Sequence, residues 1–146
     1  MIIRLSLICK AFIGMIDLIN QYYQNPINKR TMPNATVSQH EGNSVCGDDI
    51  TVFLNIKDNQ IIDRSYDGNT SMITTAAASF FSELIVGKSL NQALDMTYEN
   101  TMVPEGFEVT PRRKRAGAIA ILATRNAIHT FLQDGKHDGR NSVVVL

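Results

Sequence analysis

The chain has 146 residues, a formal net charge of zero and two cysteines, Cys9 and Cys46. That length suits one domain with a single core. The charge balance argues against general binding to nucleic acid or to a membrane surface, since either needs a surplus of Lys and Arg. The cysteines lie in segments of different character and form no disulfide framework, which points to a reducing, cytoplasmic setting.

Residues 1–14 are apolar, with Arg4 and Lys10 among them. Lys10 interrupts the run and no small residues mark a cleavage site, so it does not read as a secretory signal. The run is too short to span a bilayer, and Ile8 before Cys9 is a poor lipidation context. It reads as an N-terminal extension. Phe12, Ile16, Ile19 and Tyr23 share one helical face, predicting an amphipathic helix over 11–23 that docks on a sheet. Asn25-Pro26 ends it. A polar loop over 28–34 follows, and residues 35–40 are a candidate strand.

From residue 48 the signals sharpen. Ile50, Val52, Leu54 and Ile56 alternate with polar or outward positions at the period of a half-buried strand. Lys57-Asp58-Asn59-Gln60 is a tight turn with two residues tolerant of positive φ, so residues 61–66 should return antiparallel. Asp67-Gly68-Asn69-Thr70-Ser71 breaks the strand and offers helix caps. Ile73, Ala77, Phe80 and Leu84 then fall on one helical face, and Gly87 stops the helix.

Ser89 to Gln92 has the form of a capping box, opening a short helix to about residue 96. Residues 98–109 contain Pro104 and Gly106, lack a clean period and read as a loop. Thr110-Pro111 starts a last helix, with proline suited to its first turn. Ala116, Ile119, Ala123, Ala127 and Phe131 form its expected buried stripe. Residues 133–146 read as a flexible tail, leaving 15–132 as the folded domain.

Arg112, Arg113, Lys114 and Arg115 crowd the first turn of that last helix, where the helix dipole disfavours positive charge. The run is either a solvated basic end or a docking patch for an acidic partner surface. No aromatic residues interleave it, which argues against nucleic acid.

Candidate chemistry is concentrated in Cys46-Gly47-Asp48. In an extended chain, residues two apart point to the same side, so a thiol and a carboxylate are aimed together. That pair suits a borderline metal such as zinc or iron, or a nucleophilic thiol beside an acid. The hairpin-to-helix order would bring Ser71, at a helix mouth, to face Cys46. His40 comes near Cys46 if residues 41–43 turn back, as a substitute ligand or as the base of a thiol enzyme. His129 and His137 read as structural or solvent-facing.

An ordered series of motifs resembles the NifU/IscU/SufU-type iron-sulfur cluster scaffold proteins. It runs through Tyr22-Tyr23-Gln24-Asn25-Pro26-Ile27-Asn28-Lys29, Cys46-Gly47-Asp48, Ile62-Asp63, Asp67-Gly68, Gly87-Lys88-Ser89-Leu90 and Ala93-Leu94. The resemblance implies an α+β fold: a small antiparallel three-stranded sheet with helices packed on one side. It implies iron-sulfur cluster assembly beside a cysteine desulfurase, with sulfur received as a persulfide, acceptor proteins downstream, and a 2Fe-2S cluster or zinc as the bound group. Cys46 is the implied sulfur acceptor, and Cys46, Asp48 and Ser71 are the implied metal positions.

The chain departs from that pattern in its thiols. Ser71 stands where the family carries its second cysteine, and the third falls on Ala116 or on Ala120, depending on register. Two good ligands per chain is a degraded set, since such clusters need four. Two facing chains, each with Cys46 and Asp48, would supply four, so a homodimer is one route to a complete site. The other reading is a metal-free adaptor or regulator that docks on the desulfurase.

Overall fold

A computed structural model describes residues 15–43, 48–107 and 110–144. Cys46 and Cys9 lie outside the described residues, as does the whole N-terminal extension over residues 1–14.

Three strands form one antiparallel sheet in the order β1 (Val37–Asn43), β2 (Asp48–Lys57), β3 (Gln60–Asp67). The β2–β3 turn places Asp58 and Asn59 at φ 52° and 63°, the left-handed pair that a two-residue hairpin requires. Ile50, Val52 and Leu54 are fully buried on the helix side. The residues between them face the other way, because the pleat alternates sides.

The edge of β3 is covered by the Asn28–Arg30 segment. Asn28, at φ 59°, accepts from the Tyr66 amide at 3.0 Å, and the Arg30 amide donates back to the Tyr66 carbonyl at 2.8 Å. Arg30 also bridges to Asp63 at 2.9 Å. Part of the Asn-Pro-Ile-Asn-Lys signature therefore serves to blunt a sheet edge.

Five α-helices are described: α1 (Met15–Gln24), α2 (Met72–Ile85), α3 (Leu90–Leu94), α4 (Tyr98–Thr101) and α5 (Pro111–Leu132). The sheet is covered on one face by α2 and α5, which run alongside each other. Thr74 of α2 touches Ala116 of α5, and further along both helices Arg64 reaches Ala78 and Ser82 on one side and Thr124 on the other. The two N-termini therefore open at the same end of the molecule. Gly117 permits this layer, since a Cβ there would stand 2.9 Å from the Tyr98 ring.

Several local expectations are corrected. Helix α1 docks on α2 rather than on the sheet: Leu18, Ile19 and Tyr22 are buried, and the Tyr22 ring meets Phe80 edge-on at 5.3 Å. Tyr23 is exposed instead, as is Phe131 at the end of α5, because both lie off the stripe that faces the layer. Helix α2 is buried around most of its girth from Thr74 to Ser82, as a helix clasped by α1, α5 and the sheet must be. Residues 98–101 form a helix with their own capping box, Thr97 with Asn100, where the sequence suggested loop.

The expected loose tail packs back along α5. Asp138 accepts from Arg125 Nε at 2.8 Å and lies 3.1 Å from His129 Nε2, while Asp134 lies 2.7 Å from His129 Nδ1. Arg125 Nη1 also reaches the carbonyls of Met96 and Ser142 at 3.1 and 3.2 Å. Beyond these polar ties, Val143 and Val144 are buried. The signal missed in the sequence is a set of acids spaced to meet cations one helix away.

Arg64 is the largest fully buried side chain among the described residues. It is held by the Ala78 carbonyl, the Ser82 and Thr124 hydroxyls, and the faces of Phe81 and Tyr66 at 5.2 and 5.8 Å. Its Nη2 has no partner among the described residues, and desolvation lowers its pKa to about 10. A buried cation without a carboxylate costs several kcal/mol of desolvation that its neutral partners only partly offset. Thr124 and Ser82 keep the carbonyls of Ala120 and Ala78 as acceptors if the guanidinium is removed. Arg64→Met is therefore expected to raise stability by about 1–2 kcal/mol, seen as a higher melting temperature; a lower one would contradict this balance.

Arg125 is the opposite case, a partly buried cation whose partners include a carboxylate. Arg125→Met should raise amide exchange across residues 134–144 by about tenfold or more, the effect of losing about 2 kcal/mol of charge-assisted bonding. Exchange in α5 itself should be unchanged.

Candidate functional site

Asp48 is the first residue of β2 and shares the helix-facing side with Ile50 and Val52. The pleat thus delivers its carboxylate beneath the mouth of α2, where it is 3% exposed. Ser71 is the N-cap of that helix. Its amide donates to Asp48 Oδ1 at 2.6 Å, and its hydroxyl lies 3.3 Å from Oδ2. The Thr74 hydroxyl approaches Oδ2 more closely, at 2.7 Å. A carboxylate at a helix N-terminus is favoured both by the unpaired amides and by the dipole.

Thr74 extends the cluster to α5, its hydroxyl lying 2.9 Å from the Ala116 carbonyl. One hydroxyl hydrogen cannot serve both acceptors, and the shorter contact and the charge favour Asp48. Of the two positions considered on the last helix, Ala116 is the one at this site. Ala120 lies one turn on, its carbonyl accepting from Thr124 at 2.8 Å.

The loop before α2 is drawn onto the start of β2. The Asp49 amide donates to the Asn69 carbonyl at 3.0 Å. Gly68 has φ +138°, and a Cβ there would fall 2.0 Å from the Asp49 carbonyl oxygen. Only glycine permits that approach. The Asp67-Gly68 motif is thus explained by the fold that seats Ser71 over Asp48.

Asp48, Ser71 and the first turns of α5 are brought together, and Thr74 joins them. Thr74 was not anticipated; its only sequence signal is a hydroxyl three residues after a serine N-cap. His40 is not in this group. It pairs with Asp49, and the register opposes it to Thr51, so it lies on the sheet face away from Asp48.

A resident cluster or zinc ion does not fit the donors described here. They are one buried carboxylate engaged by three donors and two un-ionised hydroxyls, with Cys46 outside the described residues. Zinc and iron-sulfur sites are built on thiolates, imidazoles and accessible carboxylates. Among the described residues no three His, Cys, Asp or Glu side chains converge on a metal-sized point.

The hairpin, the capped helix and the Asp48 cluster are those of a small α+β scaffold domain. A family model for the NifU-like N terminal domain matches residues 16–138, and the chain belongs to that family. It is 32% identical over 124 residues to iron-sulfur cluster assembly scaffold protein IscU 1 of Archaeoglobus fulgidus, covering 84% of this chain and 80% of that one. It is 30% identical over 81 residues to the zinc-dependent sulfurtransferase SufU of Bacillus subtilis, covering 56% of this chain and 54% of that protein.

Among solved structures, the N-terminal NifU-like protein of Brucella abortus superposes with a TM-score of 0.67 at 17% identity, covering 84% of this chain and 100% of that one. The putative SUF-system scaffold of Fervidobacterium islandicum gives 0.53 at 22% identity, covering 80% and 87%. At those identities the likeness speaks to the fold. No helix among the described residues is long and apolar enough to cross a membrane.

Replacing Asp48 removes a helix cap and strands the Ser71 amide and Thr74 hydroxyl. Asp48→Ala should cost about 2–4 kcal/mol, combining a lost cap with lost charge-assisted bonds. Denaturant unfolding measures it. A change below 1 kcal/mol, about the size expected for an ordinary exposed residue, would mean the carboxylate does not hold β2 to α2.

Proposed function

We propose that this protein works in iron-sulfur cluster assembly as a sulfur-accepting partner of a cysteine desulfurase, with Cys46 as acceptor. Its role is that of a carrier and docking protein rather than an enzyme. The observation that carries this reading is the state of Asp48: the acid of the Cys-Gly-Asp motif is taken up by Ser71 and Thr74. Cys46, two residues before it, is then the soft donor left to the motif. Family membership and the names of the relatives support the pathway.

In the proposed step, the Cys46 thiolate attacks the outer sulfur of the desulfurase persulfide. The donor S–S bond breaks, the donor cysteine leaves as a thiolate, and Cys46 carries the new persulfide, with no external oxidant consumed. Iron or zinc held by Cys46 and Asp48 would be weak and substoichiometric in one chain, and delivery to acceptor proteins would follow sulfur loading. A second reading, a metal-free adaptor with no sulfur chemistry, is favoured by the same engagement of Asp48.

Incubation with the organism's purified cysteine desulfurase and cysteine distinguishes the two. Intact mass should show one added sulfur on the wild type, removable by dithiothreitol and absent from Cys46→Ser. If Cys46→Ser binds the desulfurase and supports iron-sulfur enzyme maturation as well as the wild type does, the adaptor reading replaces the acceptor reading.

A further inference from the structure

In the basic run that opens α5, Arg113 and Arg115 are the two arginines whose charge is left without an acid among the described residues. Arg112, Arg113, Lys114 and Arg115 are consecutive in a chain whose total charge is zero. No acidic residue lies in the first turn of α5, and Thr110 makes no side-chain cap bond there. Lys114 lies 4.0 Å from Glu99 Oε1. Arg113 and Arg115 are exposed and have no carboxylate at ion-pair distance among the described residues. Arg115 and Arg140 line the same small cavity, which adds a further cation to this end.

This placement works against stability. Each cation in a first helical turn is disfavoured by about 0.3–1 kcal/mol, and consecutive like charges repel. Acidic residues in those positions would be stabilising. The run also lies beside the candidate site, since Ala116 follows Arg115 directly and touches Thr74. The mouth of α2 opens at the same end, with Met72 exposed next to Ser71.

We propose that this turn is a docking surface for an acidic segment of the sulfur donor, with Arg113 and Arg115 as its main contacts. The inference rests on the function proposed above and deepens it. Charge complementarity selects the partner: a concentrated positive field in a neutral protein steers an acidic surface to one end of it. The end it selects is the one holding the Cys-Gly-Asp motif's carboxylate. An apolar contact at Met72 would sit at the margin of that surface.

The test measures two quantities that this surface moves in opposite directions. Arg113→Glu/Arg115→Glu should raise the melting temperature by a few degrees, because acids suit the first turn. The same variant should weaken binding to the purified cysteine desulfurase by tenfold or more, and wild-type binding should fall steeply with added salt. A charge-matched control, Lys57→Glu/Lys136→Glu, places the same change far from the turn and should bind as the wild type does. Cys46→Ser should bind normally while accepting no sulfur.

If the wild type binds and the reversed variant binds equally well, the docking surface is wrong and the function stands. If the wild type does not bind the desulfurase, both fall. If a single-stranded oligonucleotide binds as tightly and is lost in the same variant, the turn belongs to nucleic acid and the protein-docking assignment is overturned.

Discussion

The contact on which this end of the molecule depends is a buried carboxylate under a helix mouth. Asp48 accepts from the Ser71 amide and hydroxyl and from the Thr74 hydroxyl, and so ties the first residue of the central strand to the first turn of α2. The same Thr74 hydroxyl lies 2.9 Å from the carbonyl of Ala116, which sets the start of α5 beside this contact. A buried charge is tolerable only when its acceptors are met, and here the helix that needs a cap meets them. One carboxylate answers two requirements of the chain at once.

That economy bears on chemistry. A carboxylate that completes a helix terminus is poorly available to a metal, since leaving its donors would strand buried amide and hydroxyl groups. The carboxylate of the Cys-Gly-Asp motif has a structural task in this chain.

Arg64, fully buried, and Arg125, partly buried, show how differently the same side chain can be used. Arg125 meets Asp138 and two carbonyls and fastens the C-terminal segment along α5. Arg64 meets one carbonyl, two hydroxyls and two aromatic faces, without an acid among them. Its charge is spread over dipoles contributed by both covering helices, so it holds those helices at the cost of its own desolvation. Arg113 and Arg115 at the start of α5 are a third arrangement, exposed to solvent.

The amino-acid sequence alone determined the hairpin, through its period-two alternation and the Asp58-Asn59 turn. It determined the caps at Ser71 and Ser89, and the ordered motifs that identify the family. These are short-range properties, set by backbone preference and by hydrogen bonds spanning a few residues. What α1 docks on, how far α2 is enclosed, whether residues 134–144 pack, and which donors claim Asp48 were decided only by the tertiary structure. Each depends on groups far apart in the chain, such as Asp48 with Thr74 or Arg64 with Thr124, and a buried polar atom accepts whichever partner the assembled layers bring within reach.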